Sequence, residues 1–363
     1  ANSVAFDVRE NGRVKREGDP ITGKVVKDAN GKPERVPGAC KAVKGIGWYI
    51  EEYGIAQISM NLTNINVTPL HIAFEECRKS ADRRGLRVTG SELVGLVPLK
   101  VMLDAGRYFL KKQERSIGVS EEELIKIAVK SLGLDELTPF DPQKKIIEYQ
   151  MRDADSDPLV AMNLRAFANE TASESVAPGG GSVSAYVGAL GISLATMVAN
   201  LSSHKRGWDD RWEEFSEWAD RGQQIKDALL KLVDEDTRAF NAILSAFRLP
   251  KGNAEEQAAR KEAIQAATKM AIEVPFRTME LALQSFEVIK AMAEHGNPNS
   301  SSDAGVGALC ARAAVHGAYL NVKINTDDLE DKAYVEAILK KAAAMAKRSD
   351  ELEAEVLLIV GGK

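Results

Sequence analysis

The stretch from Ser175 to His204 carries no charged residue, and it contains Pro178-Gly179-Gly180-Gly181-Ser182 near its start. Each glycine loses more backbone freedom on folding than any other residue and accepts angles that side chains avoid, so three in a row predict a turn rather than the inside of a helix or strand. Ser182 then stands in an N-cap position for a small, apolar helix over 183–201. A glycine turn feeding a helix N-terminus offers bare N–H groups to an anion or polar ligand, and the same spacing also suits a tight turn with no ligand. It is neither a Walker loop nor a dinucleotide fingerprint, because no strand and no Gly-Lys-Ser/Thr stand in register with it. The uncharged run is long enough to cross a bilayer at ~20 residues, but Gly188, Ser193, Thr196 and Asn200 dilute it. The expectation is therefore the crowded centre of a soluble bundle, with no membrane span.

A chain of 363 residues has room for about two domains, each with its own core. A net charge of −5 with both signs interspersed argues against nucleic acid as a partner. Cys40, Cys77 and Cys310 are widely spaced and odd in number, which favours a reducing compartment, the cytoplasm, and no disulfide framework. No signal peptide is visible, and the chain opens at Ala1 without Met, so a fragment or processed product is expected.

The two halves follow different patterns. In the first, 45–50 and 55–60 read as strands of a hairpin rich in branched and aromatic residues. Thr68 is placed to cap a helix that begins at Pro69, with Leu70, Phe74 and Cys77 on one face. A strand is expected over 86–88, helices over 99–110 and 121–132, and a closing strand over 146–149. The polar segment 11–38 reads as a long loop or small hairpin. This order fits an α+β sandwich subdomain over 1–151. An aspartate-rich break, 152–158, marks the linker. Beyond it, 159–363 reads as an all-α antiparallel helical bundle, with helices over 159–172, 183–202, 210–249, 254–296 with a kink at Pro275, 304–325 and 331–360.

One carboxylate stands out. Ile225, Leu229, Leu232, Phe240, Ile243 and Phe247 recur at threes and fours, one stripe of a helix, and Asp236 falls within it while Asp234 and Glu235 point elsewhere. Desolvating a carboxylate is expensive, so an Asp on a buried face needs a partner or a task, and burial raises its pKa toward a range useful for proton transfer. The alternatives are a pairing with a basic residue of a neighbouring helix, or a place at a bundle opening. Asn321 and Asn325 lie four apart on a small-residue helix. His71, His204, His295 and His316 lack metal-ligand spacing, so no metal is expected. No nucleophile stands out, since Ser182 has no histidine nearby in sequence and the cysteines lack an activating context.

Pro178-Gly-Gly-Gly-Ser182, Leu232-Val-Asp-Glu-Asp-Thr-Arg-Ala-Phe240, the turn at Leu249-Pro250-Lys251 and Gly317-Ala-Tyr-Leu-Asn-Val322 closely resemble the cyclodeaminase domain of the formiminotransferase-cyclodeaminase family. Val43-Lys-Gly-Ile-Gly-Trp-Tyr49, Ala56-Gln-Ile-Ser59 and the run from Gly90 to Lys100 resemble the C-terminal subdomain of its formiminotransferase domain. The resemblance implies that Asp236 is the catalytic aspartate of a cyclodeaminase, which turns 5-formiminotetrahydrofolate into 5,10-methenyltetrahydrofolate and ammonia. It implies a folate pocket lined by Pro178, Gly179, Gly180, Gly181, Ser182, Asn200, Asp303, Asn321 and Asn325. Tetrahydrofolate is then the co-substrate, with polyglutamylated folate and N-formiminoglutamate as ligands and a homodimer or higher homo-oligomer as the assembly. The resemblance also implies that formimino transfer needs a preceding subdomain bearing the family's catalytic histidine, to which nothing in this sequence, His71 included, corresponds. Two other readings stand beside it: a methenyltetrahydrofolate cyclohydrolase, and a non-enzymatic folate-binding oligomerisation scaffold.

Overall fold

The structure is a computed structural model, and it describes residues 1–151 and 157–362. The chain divides into two compact units, Ala1–Gln113 with Glu121–Arg152, and Glu114–Ser120 with Asp153–Lys363. Most of the expected linker, 152–156, lies outside the described residues.

The first unit is α+β. Helix α1 (Asn2–Val8) is followed by four two-residue strands, β1 (Arg13–Val14), β2 (Arg16–Glu17), β3 (Lys24–Val25) and β4 (Arg35–Val36), so the polar segment forms two small antiparallel pairs, β1 with β4 and β2 with β3. Strands β5 (Val43–Ile50) and β6 (Ile55–Leu62) make the predicted hairpin, in register from Val43 opposite Leu62 to Ile50 opposite Ile55. Alternation sends Val43, Ile58, Met60 and Leu62 inward, where they meet Val4 and Val8 of α1 and Cys77 and Ala81 of helix α2 (Leu70–Asp82). Thr68 does not cap α2. Its hydroxyl donates to the Lys41 carbonyl at 2.7 Å, and Pro69 takes the N-cap position.

A second core joins α3 (Leu99–Lys112) to α4 (Glu121–Leu132) through Met102, Ala105, Ile125, Ala128 and Leu132. Glu121, Glu122 and Glu123 fill the first turn of α4, where negative charge suits the helix dipole. The strand expected over 86–88 is absent, since Leu86 is half exposed and its N–H closes a turn on Ala81. The strand expected over 146–149 is replaced by two short helices, α5 (Pro142–Lys145) and α6 (Ile147–Gln150), with Ile146 alone bridging Val97. The reason is periodicity: the buried residues there are Ile146 and Tyr149, three apart, which is helical spacing rather than alternation.

The second unit is an all-α bundle built from α8 (Gly180–Ser203), α9 (Trp212–Phe247), α10 (Ala254–His295), α11 (Ser301–Asn325) and α12 (Lys332–Gly361), preceded by the short α7 (Leu164–Thr171). Cross-helix neighbours fix the directions. Along α8, Ser182 meets Val233 of α9 while Ser203 meets Trp212, and Gly180 lies by Asn321 of α11 while Gly191 lies by Gly307. Both pairs therefore run antiparallel. Arg221 with Glu287 and Arg277 with Glu235 show the same for α9 and α10. Helix α10 runs unbroken through Pro275.

The small residues of α8 allow this closeness. A methyl group on Gly222 of α9 would come within 2.0 Å of the Thr196 hydroxyl. Ile192, Ala195 and Val198 pack with Phe215, Leu229, Phe286 and Ile289 in the main core. Helix α8 is long and apolar enough to meet the length and composition test for a membrane span, but 61% of its most apolar window is buried inside the protein.

Candidate active site

The glycine run behaves differently from expectation. Gly179 is the N-cap of α8, while Gly180 and Gly181 form its first helical residues, so Ser182 lies inside the helix and caps nothing. A Cβ on Gly181 would stand 2.1 Å from Asp236 Oδ1. Close approach of a carboxylate, more than turn geometry, is what requires glycine there. The Ser182 N–H, expected to greet an external anion, donates instead to Asp236 Oδ2 at 2.9 Å. The Ser182 hydroxyl lies 3.0 Å from the same oxygen, 2.8 Å from the Val233 carbonyl and 3.4 Å from the Thr237 hydroxyl.

Asp236 is thus held by one oxygen. Among the described residues Oδ1 has no protein partner, and no cation pairs with the carboxylate. Burial pushes its pKa above the ordinary carboxylate value, and the Ser182 hydroxyl and N–H, which favour the anion, offset part of that. Asp236 lines a cavity of about 110 Å³ together with Val176, Ala177, Gly179, Gly180, Thr237, Phe240, Ile243, Ala271, Asn321 and Asn325. Asn321 donates its amide to the Gly317 carbonyl at 2.9 Å and Asn325 to the Ala271 carbonyl at 2.7 Å. Among the described residues neither side-chain oxygen has a protein partner, which leaves two amide acceptors for a ligand N–H.

Of the residues expected at the site, Gly179, Gly180, Asp236, Asn321 and Asn325 line the cavity. Pro178, Gly181 and Ser182 are buried and do not line it. Asn200 does not belong there: it lies 20 residues along α8 from Gly180, about 30 Å at 1.5 Å per residue. Its amide donates to the Gly118 carbonyl at 2.8 Å. Asp303 sits in the first turn of α11, at the opposite end of that helix from Asn321 and Asn325.

The stripe on α9 also needs correcting. Ile225, Leu229 and Leu232 are buried, but Phe240 is 37% and Phe247 51% exposed, because α8 begins beside Asp236 and leaves the last turns of α9 without that neighbour. Asp234, expected to point elsewhere, is the more buried carboxylate at 2% exposure, accepting from the Leu159 and Val160 N–H groups at 2.9 and 3.2 Å. Phe240 and Ile243 were legible as neighbours of Asp236 four and seven residues on. Ala271, Val176 and Thr237 carried no signal.

The histidines lie elsewhere. His71 stacks on Tyr108 with centroids 4.5 Å apart, His316 bonds Asp350 at 2.8 Å, His204 lies against Arg115 and His295 beside Glu294. Among the described residues no three His, Cys, Asp or Glu side chains converge as metal ligands would.

Comparison with known proteins bears on this geometry. The sequence model of the family described as Formiminotransferase-cyclodeaminase matches residues 163–344, and that of the Formiminotransferase domain matches residues 1–152. Both domain types therefore match this chain. The formimidoyltransferase-cyclodeaminase of Rattus norvegicus is 37% identical over 362 residues, 99% of this chain and 63% of that protein. The protein of Gallus gallus with the same name is 38% identical over 361 residues. The chain thus spans 63% of the length of the curated relatives that it matches nearly end to end. The methenyltetrahydrofolate cyclohydrolase of Methylorubrum extorquens is 32% identical over 200 residues, 55% of this chain and 96% of that protein. A crystal structure of formiminotetrahydrofolate cyclodeaminase from Thermotoga maritima superposes with a TM-score of 0.50 at 25% identity, covering 56% of this chain and 97% of that one. With one family model spanning half of its residues and a second matching the α+β half, this chain belongs to the formiminotransferase-cyclodeaminase family.

Proposed function

We propose that the helical bundle is a cyclodeaminase, converting 5-formiminotetrahydrofolate to 5,10-methenyltetrahydrofolate and ammonia at the cavity beside Asp236. The observation that carries this reading is the state of that carboxylate: raised in pKa by burial, anchored by one oxygen, and, among the described residues, unpaired with any cation and lining a cavity with two free amide oxygens. N10 of the bound folate attacks the formimino carbon and gives its proton to Asp236. The N5-linked aminal so formed then takes that proton on its amino nitrogen, the C–N bond breaks and ammonia leaves. Both reacting nitrogens belong to one molecule, so holding it folded removes much of the barrier, and one carboxylate serves as base and then as acid.

A cavity of about 110 Å³ is small beside the ~300–1,000 Å³ of typical ligand sites. It suits the reacting centre around N5 and N10, with the rest of the folate extending out of it. Asn321 and Asn325 would accept N–H groups from that centre, and the backbone at Gly179 and Gly180 gives it close approach. No metal takes part in this scheme, and turnover should survive chelator. For residues 1–152 the proposal is formimino transfer from N-formiminoglutamate to tetrahydrofolate, with the outer face of the hairpin, where Ile46 and Trp48 are about half exposed, as one wall of the folate site. The proposal extends to a cytoplasmic homodimer or higher homo-oligomer acting on polyglutamylated folate.

The likeness to a methenyltetrahydrofolate cyclohydrolase over the bundle supports a second reading, in which the same carboxylate activates water. Purified chain given 5-formiminotetrahydrofolate separates the two. Ammonia and methenyl product appearing in equal amounts support the cyclodeaminase. No ammonia from that substrate, with 10-formyltetrahydrofolate made from methenyltetrahydrofolate, supports the cyclohydrolase.

A further inference from the structure

The Ser182 hydroxyl has a single proton and two close acceptors, the Val233 carbonyl at 2.8 Å and Asp236 Oδ2 at 3.0 Å, with the Thr237 hydroxyl farther off at 3.4 Å. Its residue is fully buried, so no water competes for that proton, and it does not line the cavity. The adjoining N–H holds Oδ2 whatever the hydroxyl does. Resting on the cyclodeaminase reading, we propose that Ser182 is a positioning residue, which pins Asp236 by Oδ2, reserves Oδ1 for the substrate, and turns its hydroxyl between two acceptors as the carboxylate gains and loses a proton.

The proton count closes. With Asp236 ionised, the hydroxyl donates to Oδ2 and, with the N–H, stabilises the anion that acts as base. When Oδ1 takes the N10 proton, the carboxyl becomes neutral and the hydroxyl donates to the Val233 carbonyl instead. Passing the Oδ1 proton to the departing amino group restores the first arrangement. Among the described residues, Ser182 alone hydrogen-bonds the Asp236 carboxylate. Helix α8 brings no charge to the site. On α9, Glu235 pairs with Arg277 of α10 and Arg238 with Asp157. On α10, Lys269 lies over the Tyr334 ring and Glu273 near the Tyr334 hydroxyl; on α11, Lys323 lies over the Tyr319 ring.

The full chain with Ser182→Ala tests this, since removing one oxygen leaves the fold and the backbone N–H in place. The measurements are kcat and KM for 5-formiminotetrahydrofolate across pH, and the Kd for tetrahydrofolate. Loss of a donor to the anion raises the pKa of the base, so the acid limb of kcat should move up by about one unit, lowering kcat about tenfold well down that limb and little on the plateau above it, with KM and Kd within about twofold. Ser182→Thr, which keeps the hydroxyl, should bring the limb back toward that of the parent. An unmoved acid limb in Ser182→Ala overturns the proposal, as does a raised KM and Kd with kcat held, which would make Ser182 a substrate contact. If Asp236→Asn keeps its turnover, the cyclodeaminase site itself has been misread; if Asp236→Asn is inactive while Ser182→Ala keeps the parent profile, only the role of Ser182 fails.

Discussion

Asp234 and Asp236 stand two residues apart on one helix, and the chain treats them in opposite ways. The Asp234 carboxylate is sealed, with the N–H groups of Leu159 and Val160 tying the segment after the linker onto α9. Asp236 keeps one oxygen free and faces a cavity. The two ends of α8 differ in another way. At Gly180 the helix opens onto that cavity, while at Asn200 its amide and that of Gln223 donate to the Gly118 carbonyl, their own side-chain oxygens staying buried without a partner among the described residues, and Ser202 takes the Asn297 N–H. The lesson is that half-satisfaction alone does not mark chemistry: the unpartnered Asn200 and Gln223 oxygens are sealed in, whereas the residue of the half-satisfied carboxylate Asp236 lines a cavity.

The contrast can be broken by experiment. The largest effect is expected from Gly181→Val, whose side chain would occupy the space of the Asp236 carboxylate. Turnover should fall at least a hundredfold while Gly361→Ala, in open space at the end of α12, changes it little, as ammonia release by the two purified variants would show. Next, Asp234→Ala strands two N–H donors and should lower stability by about 2–3 kcal/mol in a denaturant melt. If the sealed site is structural, kcat of the folded fraction stays within about twofold. Asn321→Ala removes one cavity acceptor and should raise KM about tenfold with smaller change in kcat. Asn200→Ala at the closed end should leave KM alone.

The smallest effect concerns pH. Because burial raises the Asp236 pKa above its ordinary 3.8, the folded protein binds that proton more tightly than the unfolded chain. The stability so gained is complete below 3.8 and is lost as pH rises through the folded-state pKa. Asp236→Asn should therefore melt at or slightly above the parent at pH 7, and the gap should close on acidification toward pH 4.

Much of this was legible in sequence, for reasons that also mark where legibility stopped. The hairpin strands followed from their branched and aromatic residues, the bundle from long runs at helical spacing, and the burial of Asp236 from its place four residues from both Leu232 and Phe240. What failed were features set by distant chain. Nothing near Asp234 announces the N–H groups of Leu159 and Val160. The glycine run read as a turn because local propensity disfavours glycine in helices, whereas a carboxylate 54 residues away, bound to Ser182, puts Gly181 in one. Asn200 and Asp303 have the right chemical type, but the length of α8 carries Asn200 to its far end and Asp303 opens α11, away from Asn321 and Asn325.

The most direct test of the account is ammonia release by Asp236→Asn at saturating 5-formiminotetrahydrofolate, with tetrahydrofolate binding and thermal melting measured on the same sample. Positioned acid–base catalysis contributes roughly 10²–10⁴-fold. The account predicts a loss in that range with binding and melting preserved. Turnover within tenfold of the parent would contradict it, and would return Asp236 to the structural class in which its neighbour Asp234 belongs.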